Sequence, residues 1–225
     1  MSEPACESST QHVTFEDLVE RAAALAAGPG RAIIGVTGSP GAGKSTLVAA
    51  LLAKLGDASV AHVPMDGFHI ADVALRRIGR LDAKGAPDTF DVGGYAALLR
   101  RISADTEDVI YAPAFERDLE QPLAGAIAVP RAARLVLTEG NYLLVEDGRW
   151  PEVAAELTEV WFCDPRPEVR LAQLTARHVE FGKNPAHAAS WVQAVDEPNA
   201  VLVESTRARA DLIIPPEVLE ALPAQ

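Results

Sequence analysis

A chain of 225 residues, 48% of them hydrophobic, is long enough to bury a full core as one α/β domain. Its formal net charge of -12 leaves no basic surface able to neutralise a run of phosphates, which argues against nucleic acid and anionic membrane as partners. The longest apolar runs, such as Leu135 to Leu137 and Leu212 to Ile214, fall far short of the ~20 residues of a membrane span. Cys6 and Cys163 lie far apart, and the acidic stretch Met1 to Thr10 has no apolar segment. Neither a disulfide framework nor a secretory signal is indicated, so the expectation is a soluble protein in a reduced, cytoplasmic setting.

After a polar first dozen residues, Phe15, Leu18, Val19, Ala22 and Leu25 recur at helical spacing until Gly28-Pro29-Gly30 stops them. This predicts a tail and leading helix over residues 1–30 and a main domain over 31–225. Ala32 to Thr37 is a short apolar run ending in a glycine-rich turn, and Ser45 to Leu55 resumes helical periodicity. Strand, loop and helix thus follow in the order of a βαβ unit. Further apolar runs at Ser59–Val63, Val109–Tyr111, Arg134–Thr138, Glu159–Cys163 and Asp211–Ile214 each read as a buried parallel strand. Helical stretches at Gly94–Ile102, Pro167–Phe181 and Ala188–Thr206 lie between several of them. Together they predict an α/β three-layer sandwich, a mostly parallel sheet with helices on both faces. Gly67 to Phe90 differs: rich in Arg, Asp and Gly with weak periodicity, it reads as a binding loop inserted in the domain.

Gly38-Ser39-Pro40-Gly41-Ala42-Gly43-Lys44-Ser45 satisfies G-x-x-x-x-G-K-[ST] between a predicted strand and a predicted helix, the context a P-loop requires. Glycines turn backbone N–H groups inward around a phosphate, the helix that begins there adds its positive end, Lys44 neutralises the β- and γ-phosphates, and Ser45 offers a hydroxyl to Mg²⁺. With Thr46, these residues form the candidate ATP site. Glu139 closes a buried strand and precedes Gly140, where a carboxylate holds magnesium or its water shell.

No N-K-x-D string marks a guanine-nucleotide switch, and no L-S-G-G-Q string marks a transport ATPase. A small-molecule kinase remains, and it needs a group to orient or deprotonate the acceptor hydroxyl. In Met65-Asp66-Gly67-Phe68-His69, Asp66 follows the second strand on the sheet edge that carries the P-loop and Glu139. The alternative for Asp66 is an N-cap or turn residue.

The P-loop, D-G-F-H, Lys84-Gly85-Ala86-Pro87-Asp88-Thr89-Phe90-Asp91 and Glu139-Gly140-Asn141-Tyr142 together resemble the phosphoribulokinase, uridine kinase and type I pantothenate kinase superfamily, from about Arg31 to Ile214. The resemblance implies that Asp66 is the catalytic base, that Asp88 lies in the acceptor pocket with His69, Lys84 and Tyr142, and that lid arginines near 177–190 close over the transferred phosphoryl group. Arg177 is the candidate for that role. Arg170 shares its helix face, with a solvated surface as the alternative. Arg209, in Thr206 to Ile214, resembles the segment near the adenine in pantothenate kinases, or is structural. Two departures bear on the acceptor. After the third strand the chain reads Tyr111-Ala112-Pro113-Ala114-Phe115-Glu116-Arg117, without the His-x-Arg of uridine kinases or the Tyr-Ser-His of pantothenate kinases. Pro-x-Phe-x-Arg is similar instead to bacterial nucleoside-kinase-like proteins, some linked to fructose uptake. Arg117 binds an anionic part of the acceptor or pairs locally with Glu116 or Asp118. The expectation is an ATP- and Mg²⁺-dependent kinase acting on a small-molecule hydroxyl, with a non-catalytic ATP-binding regulator as the alternative and a homodimer left open.

Overall fold

A computed structural model describes residues 13–56, 59–180, 182 and 184–223; Cys6, Phe181 and Lys183 lie outside them. Helix α1 (Phe15–Ala26) opens on a capping box in which Thr14 and Asp17 each serve the other's backbone N–H. Strand β1 (Ala32–Thr37) runs into the glycine-rich loop and helix α2 (Lys44–Leu55). Then come β2 (Val60–His62), a 3-10 turn over Met65–Phe68, α3 (Asp72–Arg77), α4 (Val92–Ala104), β3 (Val109–Glu116) and β4 (Gln121–Pro130). The chain continues through β5 (Leu135–Glu139), α5 (Trp150–Ala154), β6 (Glu159–Cys163), α6 (Pro167–Glu180), α7 (Pro185–Trp191), α8 (Glu197–Glu204), β7 (Leu212–Ile214) and α9 (Pro216–Glu220).

Five strands form one parallel sheet in the order β2-β5-β1-β6-β7. Because alternate residues of a strand point to opposite faces, β1 sends Ile33 to one core and Ala32, Ile34 and Val36 to the other. The first core packs α4, α5 and the β3–β4 hairpin; the second packs α1, α2 and α9. The fold is thus the three-layer α/β sandwich expected, with both sheet faces covered. No described helix is long and apolar enough to cross a membrane.

Two expectations need correction. Val109–Tyr111 is not a further parallel strand of the main sheet but the start of an antiparallel hairpin outside it, with a bulge between Ala112 and Ala114. Val109 and Tyr111 are exposed while Ile110 and Ala112 are buried, so one face covers the core and the other meets water. The helical stretch Ala188–Thr206 starts earlier, at Pro185 under an Asn184 cap, and is broken by a π-helical turn over Val192–Asp196. It ends at Glu204, before a 3-10 turn over Arg207–Arg209.

Candidate active site

Three consecutive carboxyl ends of the sheet carry the site: β1 leads into the P-loop, β5 ends on Glu139, and β2 leads into Asp66. The loop takes its shape from backbone that residues with side chains rarely adopt. Gly43 has φ +81° facing open space, so its conformation alone demands glycine; at Gly41, φ +80°, a Cβ would also meet the Arg170 carbonyl and Leu174 Cβ at 3.0 Å each. Gly38, Ser39 and Ala42 complete the turn, and Thr46 lies half-buried on the first turn of α2. Lys44 is buried, and its Nζ donates to the carbonyls of Gly38 (2.9 Å) and Ser39 (3.0 Å). Burial lowers the pKa of this ammonium and the nearby Arg177 charge lowers it further, while Glu139, Cys163 and Asp66 work against them. Lys44 therefore stands within the field of Asp66, Glu139 and Arg177 at once.

The loop is gripped from behind. Ser39 Oγ donates to Glu204. Arg170, buried rather than on a solvated face, donates through Nη1 to the Pro40 carbonyl (3.2 Å) and pairs with Glu197 (2.6 Å). Both acidic residues belong to α8, so α6 and α8 hold the P-loop in shape.

Ser45 Oγ donates toward both Glu139 oxygens, at 2.9 and 3.1 Å. Burial raises the Glu139 pKa, opposed by Lys44. A hydroxyl and a carboxylate beside a phosphate cradle are the hard oxygen donors magnesium takes, and the cation completes its shell with phosphate and water, so Ser45 and Glu139 fit that ion. His62 Nε2 approaches Glu139 Oε1 to 4.0 Å, and burial pushes this imidazole down to about 4, leaving it neutral near pH 7.

Asp66 sits in the 3-10 turn after β2, exposed enough to meet a ligand. Gly67 permits the hairpin to close over that turn, since a Cβ there would lie 2.3 Å from the Pro113 carbonyl oxygen. Closure brings Arg117 Nη2 to 3.7 Å from Asp66 Oδ2, while Glu116 accepts from the Asp118 N–H. His69 Nδ1 lies 2.8 Å from the Asp66 carbonyl, its ring between Phe90 (4.1 Å between centroids) and Phe115 (4.7 Å). Lys84 pairs with Asp72 (2.7 Å), donates to the Glu120 carbonyl and lies 5.4 Å from the Phe115 ring centroid.

Three other expected site residues are engaged elsewhere. Asp88 is exposed, pairs with Arg80 (2.7 Å), and lines a cleft of about 340 Å³ with Phe90, Trp150 and Leu202. Tyr142 is fully buried and donates to the Gly85 carbonyl (2.6 Å), so it holds the 84–90 loop from beneath. Arg209 pairs with Glu146. Sequence reasoning passed over His62, Glu204 and Asp72. Only His62 carried a legible signal, an ionisable residue inside an apolar strand run.

The family model "Methylmalonyl Co-A mutase-associated GTPase MeaB" matches residues 6–66, the stretch through the P-loop to Asp66. Over nearly the whole chain the similar proteins include two named as kinases. A Schizosaccharomyces pombe protein named "Putative uridine kinase C227.14" is 30% identical over 89% of this chain and 90% of its own length. The Escherichia coli "Uncharacterized protein YggC" is 30% identical over 82% of this chain and 77% of its own. The crystal structure of a "putative fructose transport system kinase" from Silicibacter sp. TM1040 superposes with a TM-score of 0.81, at 32% identity over 91% of this chain and 100% of that one.

Proposed function

Because this chain belongs to the P-loop kinase superfamily of phosphoribulokinases, uridine kinases and type I pantothenate kinases, we propose that it transfers the γ-phosphoryl group of MgATP to an alcohol hydroxyl of a small metabolite. The observation that carries the reading is the shared sheet edge: the turn with the Asp66 carboxylate follows β2, next to β5, which ends on Glu139, and β1, which leads into Lys44 and Ser45. A protein that only sensed ATP would have no use for a base at that point.

The P-loop amides and Lys44 bind the β- and γ-phosphates. Ser45 and Glu139 would hold magnesium, which would supply positive charge against the phosphoryl oxygens. Asp66 accepts the proton of the acceptor hydroxyl as its oxygen bonds to the γ-phosphorus and the bond to the β–γ bridging oxygen breaks, leaving ADP. Arg117, 3.7 Å from Asp66, reaches the acceptor from beside the base. Arg177, exposed on the last turn of α6, closes over the moving phosphoryl group as part of a lid over 177–190. His69, Lys84, Asp88 and Tyr142 shape the acceptor side, the first two at its wall and the last two through the 84–90 loop.

Asp66→Asn tests this. The swap keeps size and leaves the P-loop intact, so MgATP affinity should stay within a few-fold while kcat falls by ~10² to 10⁴, the usual contribution of a general base. Turnover of a true acceptor within about threefold of wild type would remove Asp66 from the mechanism.

A further inference from the structure

Resting on that kinase reading, we propose that the acceptor is a small, non-aromatic polyhydroxy compound, a sugar or sugar acid, and that a nucleoside is excluded by the way the rings around Asp66 are used. A nucleobase is recognised by stacking on an exposed aromatic face. The described phenylalanine rings that neighbour the Asp66 turn are each engaged with other side chains. Phe90 is buried, stacked on His69 and edged by Tyr142 and Trp150 at 5.8 and 5.9 Å. Phe115 meets His69 and carries the Lys84 ammonium. Phe68 packs on Tyr95 at 4.6 Å, and both are buried. Tyr111 is exposed but lies on the hairpin face opposite Ile110 and Ala112, away from the core it covers.

What the wall does offer is hydrogen-bonding capacity suited to hydroxyls, each of which donates once and accepts twice. Asp66 accepts. Since His69 Nδ1 faces a carbonyl oxygen, that nitrogen carries the proton, and burial keeps the ring neutral by lowering its pKa. Its Nε2 is therefore an acceptor, set one residue past the turn that carries Asp66 and locked by two rings. Arg117, 3.7 Å from Asp66, supplies donors. Two acceptors on the Asp66 turn and a fork of donors beside it match neighbouring hydroxyl groups.

The test is ADP release at saturating MgATP across aldoses, ketoses, alditols and aldonic acids on one side and pyrimidine and purine nucleosides on the other, with Asp66→Asn as the control for acceptor-dependent release. The expected result is Asp66-dependent release with a member of the first group and none above background with nucleosides. His69→Phe, which keeps a ring between Phe90 and Phe115 but removes the Nε2 acceptor, should then raise the KM for that compound about tenfold, the cost of one hydrogen bond in such a site, with the KM for ATP unmoved. A nucleoside turned over as well as the best sugar overturns the acceptor class and leaves the kinase reading standing. No Asp66-dependent release with any compound, although MgATP binds, overturns both.

Discussion

His62 shows how much one buried side chain can set. In the folded chain its imidazole titrates at about 4, because burial disfavours the charged ring, against about 6.5 when unfolded. Between those values the unfolded chain binds the extra proton, so stability is fully present above about pH 6.5 and is withdrawn as pH falls toward 4. With a side chain 30% exposed, the loss is about 2 kcal/mol after allowance for solvent. Glu139 has the opposite sign: its raised pKa contributes stability at low pH that is lost as pH rises. Urea unfolding at several pH values should therefore give a flatter stability slope between pH 4 and 6.5 for His62→Gln than for wild type. Parallel slopes would mean that His62 does not carry this linkage.

Among elements, the hairpin and the α6–α8 segment do most to shape the site. The hairpin closes on the Asp66 turn through Gly67, where added bulk meets Pro113 backbone rather than a flexible side chain. Gly67→Ala should cost ~1–3 kcal/mol by overpacking and lower kcat/KM for the acceptor while MgATP affinity holds; unchanged unfolding midpoints would show that the hairpin yields freely. The segment from Arg177 to Ser190 is bounded by the π-helical turn, a feature common at functional sites. The His178–Asp196 hydrogen bond (2.8 Å) and the Arg170–Glu197 ion pair (2.6 Å) clamp that turn to α6, and Ser39–Glu204 ties α8 to the phosphate loop. If Arg177 closes over the phosphoryl group as proposed, amide hydrogen exchange over 177–190 should slow when MgATP and acceptor bind together. Equal exchange with and without both ligands would leave the segment as ordinary structure.

For the molecule as a whole, nucleotide binding and stability are one equilibrium, since the cradle exists only when β1, α2, α6 and α8 are in place. MgATP at a hundredfold over its dissociation constant should add about 2.7 kcal/mol, which for a domain of this size raises Tm by ~5–10 °C. In Lys44→Ala the shift should vanish and turnover with it, because the phosphates lose the cation that the loop carbonyls hold in place. A full shift in that variant would separate Lys44 from nucleotide binding.

Much of this architecture was written locally. The P-loop, strands β1 and β6 residue for residue, Asp66 after β2 and Glu139 at the tip of β5 all follow from short-range pattern, because a glycine turn and a buried strand are specified by neighbours a few residues apart. The partners of the polar side chains were not legible. Asp88 with Arg80, Tyr142 with Gly85, Arg209 with Glu146 and Arg170 with Pro40 are matches that only the folded chain makes. The direction of β3 was hidden for the same reason: three apolar letters suit a parallel strand or a hairpin equally. Which pairing wins depends on where β4 and the Asp66 turn lie in space, since a strand lowers its free energy only by joining backbone groups that the tertiary fold has already brought alongside.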